Sequence, residues 1–396
     1  MAKKKDVKSK TTNKKSTKNK KVEKAIKKLP SKARVALAVI AFTLVAAFLI
    51  VCYFNPAIYQ NILNLFKEKE ESNITNIVGD DVYVNELTDV NVHFVNVGQG
   101  DSIVITLPDD TVMLIDAFND ATLLSYLKDT LKLTVIDYVL ITHSDADHIG
   151  AMDKVFENFQ VKKVFRPYIV YGDDNTFDAS FNKGSKEANS KTYKTFLELL
   201  SKETYVDGNQ TKECEWEFFN HSSDFSKNIH YNNETYTFTF DFLTPTVEIS
   251  DIAYGDVNSY SPIVKFSYAG TDVLFTGDAE HETLEEFLDK YTSETDKAYL
   301  DVEVLKLGHH GSKTSTTDPF LDVVKPEYAI ASCGVDNSYG HPHAEVLDLM
   351  LNNNVTLYRT DLSGNIVLNI STTGFEFNIQ NPNVSASDMY TAPTKD

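Results

Sequence analysis

Three histidine-bearing segments lie far apart in the 396-residue chain, and each follows an apolar, strand-like run or opens a helix. They are "VLITHSDADHIGAM" (139–152), "LKLGHHGSKTS" (305–315) and "SYGHPHAEVL" (338–347), and they hold six of the ten histidines. Histidines scattered through a core do not cluster this way. A fold that serves all three must bring the loops together on one pocket. In the first segment His143, Asp145 and Asp147 alternate along an extended loop and can face one way, while His148 serves a neighbouring point. Imidazole nitrogens and carboxylate oxygens are the usual donors for Zn²⁺, and for Mn²⁺ or Fe. The plain alternative is a solvated turn whose aspartates cap the next helix.

The other motifs are weaker alone. Asp278 in "LFTGDAE" (274–280) ends a strand, where it either bridges two cations or caps the helix that follows. His309 and His310 diverge as neighbours, one suited to a metal and the other to a substrate. His343 either starts a helix or acts on the substrate beside His341. Lys313 either meets a phosphate oxygen or is solvated.

Alternation predicts strands at 91–97, 102–107 and 111–116, with a hairpin at Asp109–Asp110, and a buried strand at 134–142. Further strands are expected at 235–243, 263–270, 272–278, 301–308 and 328–332, and two more in "VTLYRT" and "GNIVLNIS". Helices are expected at 121–131, from about 149, and at 281–290, 317–324 and 344–352. Residues about 170–235 are polar and rich in Asn, Lys and Thr, and are expected as an insertion with one helix at 191–201. Residues 55–87 read as a linker and 381–396 as a disordered tail. Three cysteines make no disulfide framework.

Charge divides the chain unevenly. Residues 1–34 hold 15 Lys+Arg against 2 Asp+Glu, and the whole chain is −19, which leaves −32 on residues 35–396. The basic tract has too few apolar residues to fold alone. Residues 35–54, "VALAVIAFTLVAAFLIVCYF", carry no charge and, as a helix, span roughly 30 Å, the thickness of a bilayer core. A cleaved signal peptide has a shorter apolar region, about 7–15 residues. The expectation is a single-pass anchor in the cell membrane, with the Lys-rich N-terminus cytoplasmic and residues 55–396 outside.

Taken together, "HFVNVGQGDSIVI" (93–105), "MLIDAF" (113–118), "THSDADHIGAM" (142–152), "NSYSPIVKFSYAG" (258–270), "VLFTGDAE" (273–280), "LKLGHHGSKTST" (305–316) and "YGHPHAEVL" (339–347) resemble the metallo-β-lactamase fold superfamily. Within it they are most similar to the soluble hydrolase domain of the ComEC/Rec2 competence proteins. The resemblance covers about 90–370. It implies an α/β fold, an αββα sandwich with a metal site at one sheet edge, and hydrolysis of a phosphodiester, with DNA the expected substrate. It implies one or two divalent ions, Zn or Mn. His143 and Asp145 would hold one, Asp147 and His148 the other, Asp278 would bridge them, and His310 would complete the set. Asp145 stands where the superfamily has its second histidine, and the added hard oxygen donor favours Mn²⁺. Asp101, Asp116, Asn258 and Ser261 match positions that line or brace the site.

A metal lowers the pKa of bound water to about 7. Asp147 would orient that water, and His309 or His343 would stabilise the phosphate or protonate the leaving group. Acidity weighs against a nuclease, because nonspecific DNA affinity comes chiefly from neutralised phosphates. Lys162, Lys163, Arg166, Lys183, Lys186, Lys191 and Lys194 form short basic stretches, read either as a strand-binding edge or as ordinary surface. Three readings stay open: an anchored extracytoplasmic phosphodiesterase acting on single-stranded DNA; a metallohydrolase of a small phosphoester or ester, such as a phosphocholine-bearing polymer or a lactone; and a non-catalytic binding module. No obligate protein partner is expected.

Overall fold

The computed structural model describes residues 80–172 and 177–393, so the basic tail, the anchor segment and most of the linker lie outside it. The chain divides into residues 1–76 and 77–396, and the account below concerns the second unit. No helix among the described residues is long and apolar enough to cross a membrane.

Two eight-stranded sheets stack face to face, with helices on both outer faces. Strand alternation sorts the core into three interfaces. Along Ile103–Thr106, Ile103 and Ile105 face the other sheet, where Phe240, Phe266 and Phe275 meet them. Val104, between them, faces the opposite way and packs in the layer of Leu123, Val155 and Phe196, which belong to the covering helices. On the other outer face Leu274, Leu305 and Ala329 pack in the layer of Phe287, Phe320 and Met350. The result is the expected αββα order.

Each sheet contains a parallel run. In one, Thr271–Phe275, Val304–Lys306, Tyr328–Ala331 and Thr356–Arg359 lie side by side. In the other, Val112–Ile115, Val135–Leu140 and Gln160–Arg166 do. Parallel strands end on the same edge, and such sheets bind ligands at the carboxyl ends of their strands. Asp278 and His309–His310 follow two strands of the first run, and Asp116 and His143 follow two of the second.

Local readings differ in four places. The insertion is part of the sandwich. Beyond its helix Lys191–Leu200 it supplies Glu215–Phe218, parallel to Gln160–Arg166, and Phe225–Tyr231, antiparallel to Glu234–Phe242. These are edge or near-edge strands with much side-chain exposure, so their sequence stays polar. Asp80–Tyr83, inside the expected linker, adds a parallel strand beside Phe225–Tyr231. The helix expected at 121–131 is α-helical only over Asp120–Ser125 and widens to a π-turn over Tyr126–Thr130. Within the expected tail, Met389 to Thr391 dock on the fold, while most of residues 381–388 are exposed. Met389 is buried, the Tyr390 hydroxyl donates to Val355 O at 2.7 Å, and Arg359 Nη1 donates to Thr391 O at 2.6 Å.

Candidate metal centre

The site forms where the two sheets' parallel edges meet. Gly277 permits the approach. It has φ +48°, and a Cβ there would lie 2.9 Å from Cβ of both Thr142 and Ser261. Asp278 is thereby set against the His143 loop, and its N–H donates to Ser261 Oγ at 3.1 Å. Ser261 Oγ also pairs with His143 Nδ1 at 3.2 Å. Asp116 accepts from Thr142 N–H (2.9 Å), Thr142 Oγ1 (2.7 Å) and His148 Nδ1 (2.7 Å). His310 Nδ1 donates to Ser332 O at 2.9 Å.

These bonds fix one nitrogen of each ring and leave the other facing inward. His143 Nε2, His148 Nε2, His310 Nε2, Asp278 Oδ1 and Asp101 Oδ1 are all buried with no hydrogen-bond partner. Orphaned buried polar atoms are costly and rare in native proteins, so five in one pocket call for a ligand. Ligand atoms of Asp101, His148, Asp278 and His310 lie within 4.8 Å of one another. His148 Nε2 is 3.2 Å from Asp278 Oδ1, and His310 Nε2 is 3.6 Å from Asp278 Oδ2 and 3.4 Å from Asp147 Oδ2. The donor set fits a divalent cation.

Electrostatics point the same way. Asp116, Asp145, Asp147, Asp278 and Glu280 lie about the histidines, and Asp101 Oδ2 pairs with the buried ammonium of Lys306 at 2.8 Å. Burial alone would keep His148 and His310 neutral. Asp278 and Asp116 instead raise His148 well above the usual range, and Asp278 with Asp101 and Asp147 takes His310 to about 9. Burial opposes ionisation of Asp278, but His148 and His310 hold its carboxyl well below the usual range. His143, away from this balance, is pushed down to about 3 by burial and by His148. The pocket is one that draws in positive charge.

The predicted residues separate into tiers. His143, His148, Asp278 and His310 are buried together. Asp145 and Asp147 stand at the mouth, their side chains 49% and 34% exposed, with Asp145 Oδ2 4.0 Å from His143 Nε2. Asp147 Oδ2 reaches His310 Nε2 at 3.4 Å. Asp101 is closer in than a lining residue, although Lys306 occupies one of its oxygens. His309 is 23% exposed, with Nδ1 bonded to Glu280 Oε1 at 2.7 Å and Nε2 3.6 Å from Asp278 Oδ2. His341 packs against His309 and His310 at 5.4 and 6.3 Å between ring centroids, and His343 contacts His341 at 4.7 Å, one ring further out. His343 Nδ1 accepts the Lys313 N–H at 3.1 Å. Asn258 Oδ1 is buried without a partner.

Lys313 lies at the surface, where it pairs with Glu345 at 3.1 Å, as its solvated reading has it. Three residues of the basic stretches are paired or buried. Lys162 pairs with Asp137 at 2.6 Å and Lys163 with Glu217 at 3.5 Å. Arg166 is fully buried among Phe181, Trp216 and Phe218, 4.3–4.7 Å from each ring. Sequence reasoning missed Lys306, Glu280, Thr142, Gln99 and Ser332.

His309 and His310 both adopt left-handed backbone, φ +48° and +56°, as does Asp116 at +56°. Such conformations cost on the order of 1–3 kcal/mol each and cluster at functional sites.

The sequence model of the metallo-beta-lactamase superfamily matches residues 95–176 and 235–335, a span that takes in His143 to His148, Asp278 and His310. The domain belongs to the metallo-beta-lactamase superfamily. The unmatched stretch between those blocks contains the helix Lys191–Leu200 and the strands Glu215–Phe218 and Phe225–Tyr231, so this superfamily member carries an elaborated middle. Among curated proteins the chain is similar to ComE operon protein 3 of Bacillus subtilis, 26% identical over 299 residues, or 69% of this chain and 32% of that protein. It is 40% identical to Competence protein ComA of Neisseria gonorrhoeae over 125 residues, 32% of this chain and 17% of that one. It is 33% identical to Recombination protein 2 of Haemophilus influenzae over 112 residues, 28% of this chain and 13% of that one. The chain thus spans about a third or less of the curated relatives it matches. A metallo-beta-lactamase fold with a buried group able to bind a metal is the arrangement of a metal-dependent hydrolase.

Proposed function

We propose that this protein is a membrane-anchored, metal-dependent phosphodiesterase acting on DNA outside the cytoplasm. The observation that carries the hydrolytic part is the set of five orphaned donor atoms in one buried pocket. DNA as substrate is supported by the relatives named for competence and recombination. The anchor rests on the uncharged run 35–54.

His143, His148, Asp278 and His310, with Asp145 and Asp147 at the mouth, would hold one or two divalent ions. Such ions neutralise charge on a phosphate oxygen and lower the pKa of water at neutral pH. Three carboxylates beside three imidazoles make a harder donor set than an all-histidine one, which favours Mn²⁺ or a mixed Mn/Zn site. Asp101 is a brace, since its ion pair with Lys306 takes one oxygen out of the pocket.

The remaining side chains divide the proton work. Glu280 grips His309 Nδ1 and turns Nε2 toward the pocket. Burial disfavours the imidazolium there, but the Glu280 bond and Asp278 raise His309 above its usual range, which favours a role as proton donor to a leaving oxygen. Asp147, partly open to solvent, is placed to accept one. Burial and the charges of His309 and His310 push His341 down to about 3, so it stays neutral.

The smaller-substrate reading is favoured by two observations: the rim lysine Lys313 is paired, and residues 35–396 carry −32. Purified full chain is incubated with a single-stranded oligonucleotide and with phosphocholine esters, with and without Mn²⁺. Cleavage of the oligonucleotide that disappears in Asp147→Ala supports the nuclease reading. Cleavage that survives Asp147→Ala removes it, and turnover of the choline esters alone transfers the site to a small phosphoester.

A further inference from the structure

The loop Cys333–His341 runs along the rim and carries two of the largest exposed apolar side chains, Val335 and Tyr339, the latter 61% exposed. Tyr83 and Tyr299 are also exposed; Tyr83 stacks on His230 at 4.6 Å, and the Tyr299 hydroxyl bonds to Asp241 at 2.5 Å. Tyr339 makes no hydrogen bond through its hydroxyl among the described residues. One contact orients its ring, a 25° stack on His341 at 5.6 Å.

That stack connects directly to the metal centre. His341 contacts His309 at 5.4 Å, and His309 Nε2 is 3.6 Å from Asp278 Oδ2. The loop is also fixed. Asn337 Nδ2 donates to Gly334 O (2.9 Å) and His341 O (2.7 Å), and its Oδ1 accepts the His341 N–H (2.9 Å). Gln99 spans from the opposite sheet, accepting the Gly334 N–H at 3.0 Å and meeting His341 Nδ1 at 3.3 Å. An aromatic ring held rigidly in water beside a hydrolytic pocket binds a flat partner at low entropic cost.

We propose that Tyr339 is a stacking platform for an unpaired nucleobase next to the phosphodiester at the metal centre, so that the site selects single-stranded nucleic acid. This rests on the phosphodiesterase reading and adds the source of its selectivity. In a duplex both faces of an internal base are covered by its neighbours, so only an unpaired base can lie on Tyr339. Stacking would add to what the bound ions contribute at the phosphate, since the nearby Lys313 pairs with Glu345 at the surface and residues 35–396 carry −32. Stacking is indifferent to net charge, and base–aromatic stacking is worth about 1–3 kcal/mol per base.

The test is fluorescence anisotropy of the full chain with Mn²⁺, using a phosphorothioate oligothymidylate, its fully abasic counterpart of equal length, and the matching duplex. Cleavage of the unmodified strands is followed in parallel. The wild type is expected to bind the oligothymidylate about tenfold more tightly than the abasic strand, the factor that about 1.4 kcal/mol of stacking gives. Tyr339→Ala is expected to bring that ratio close to one, and Tyr339→Trp to retain it. A ratio unchanged in Tyr339→Ala, a preference for duplex, or no binding by the wild type overturns the proposal. Cleavage is read separately: base-dependent binding without cleavage of any strand removes the phosphodiesterase reading but leaves the platform, and cleavage of both strands without base preference does the reverse.

Discussion

His148 Nδ1 and Asp116 Oδ2 meet at 2.7 Å with neither side chain reached by solvent. The contact fixes the imidazole so that Nε2 faces Asp278. Partners of this kind set the tautomer and orientation of a metal-binding histidine, and their loss costs about 10–100-fold in metal affinity or activity. Asp116→Asn is expected to weaken Mn²⁺ or Zn²⁺ binding by that factor, measured by titration calorimetry, with the far-ultraviolet circular dichroism unchanged. Full affinity in the variant would remove Asp116 from this role.

Lys306 is buried, with Asp101 its carboxylate partner. Removing one member of a buried pair leaves the other charge uncompensated, at about 3–5 kcal/mol. Lys306→Met is expected to lower the melting temperature by several degrees, and Lys306→Met with Asp101→Asn to recover part of the loss. Equal destabilisation in the single and double variants would show that the pair is not what holds this wall.

Asp224 offers a stability effect remote from the metal centre. Its carboxyl is pushed up to about 7 by burial, against the opposing Phe242 N–H at 2.6 Å. A carboxyl whose folded pKa exceeds its unfolded value of about 3.9 binds its proton more tightly when folded. Stability from this group is full below pH 4, falls as pH rises to about 7, and is level above. Asp224→Asn lacks this slope. The melting temperature of the variant minus that of the wild type is therefore expected to grow between pH 5 and pH 7.5, and a constant difference would contradict the assignment.

The anchor yields a fractionation result. Full chain is expected in the membrane pellet after alkaline carbonate washing, and a chain lacking residues 35–54 in the supernatant. Recovery of the full chain in the wash would refute the anchor.

How far the sequence is legible follows from where each residue's role is decided. His143, His148, Asp278 and His310 stand out because metal-competent side chains behind apolar strands are unusual in a local window. Lys306 does not, because one lysine in "VEVLKLG" reads as an outward-facing strand position until a second sheet brings Asp101 against it. Gln99 is invisible for the same reason, as its partners Gly334 and His341 are more than 230 positions away. Arg166 looked like surface charge because its cage is assembled by Phe181, Trp216 and Phe218 from the insertion. The insertion's strands escaped notice because edge strands keep polar side chains, and the docked part of the C-terminal segment because Met389 and Tyr390 are its main apolar anchors.

Anomalous diffraction from crystals of the full chain grown with Mn²⁺ and Zn²⁺, recorded on either side of each absorption edge, tests the central claim most directly. The expected result is a peak bounded by His148, Asp278 and His310, with manganese present at the mouth beside Asp145 or Asp147. Anomalous density found only elsewhere on the surface, with this pocket empty under both metals, would contradict the claim that these loops form a cation site.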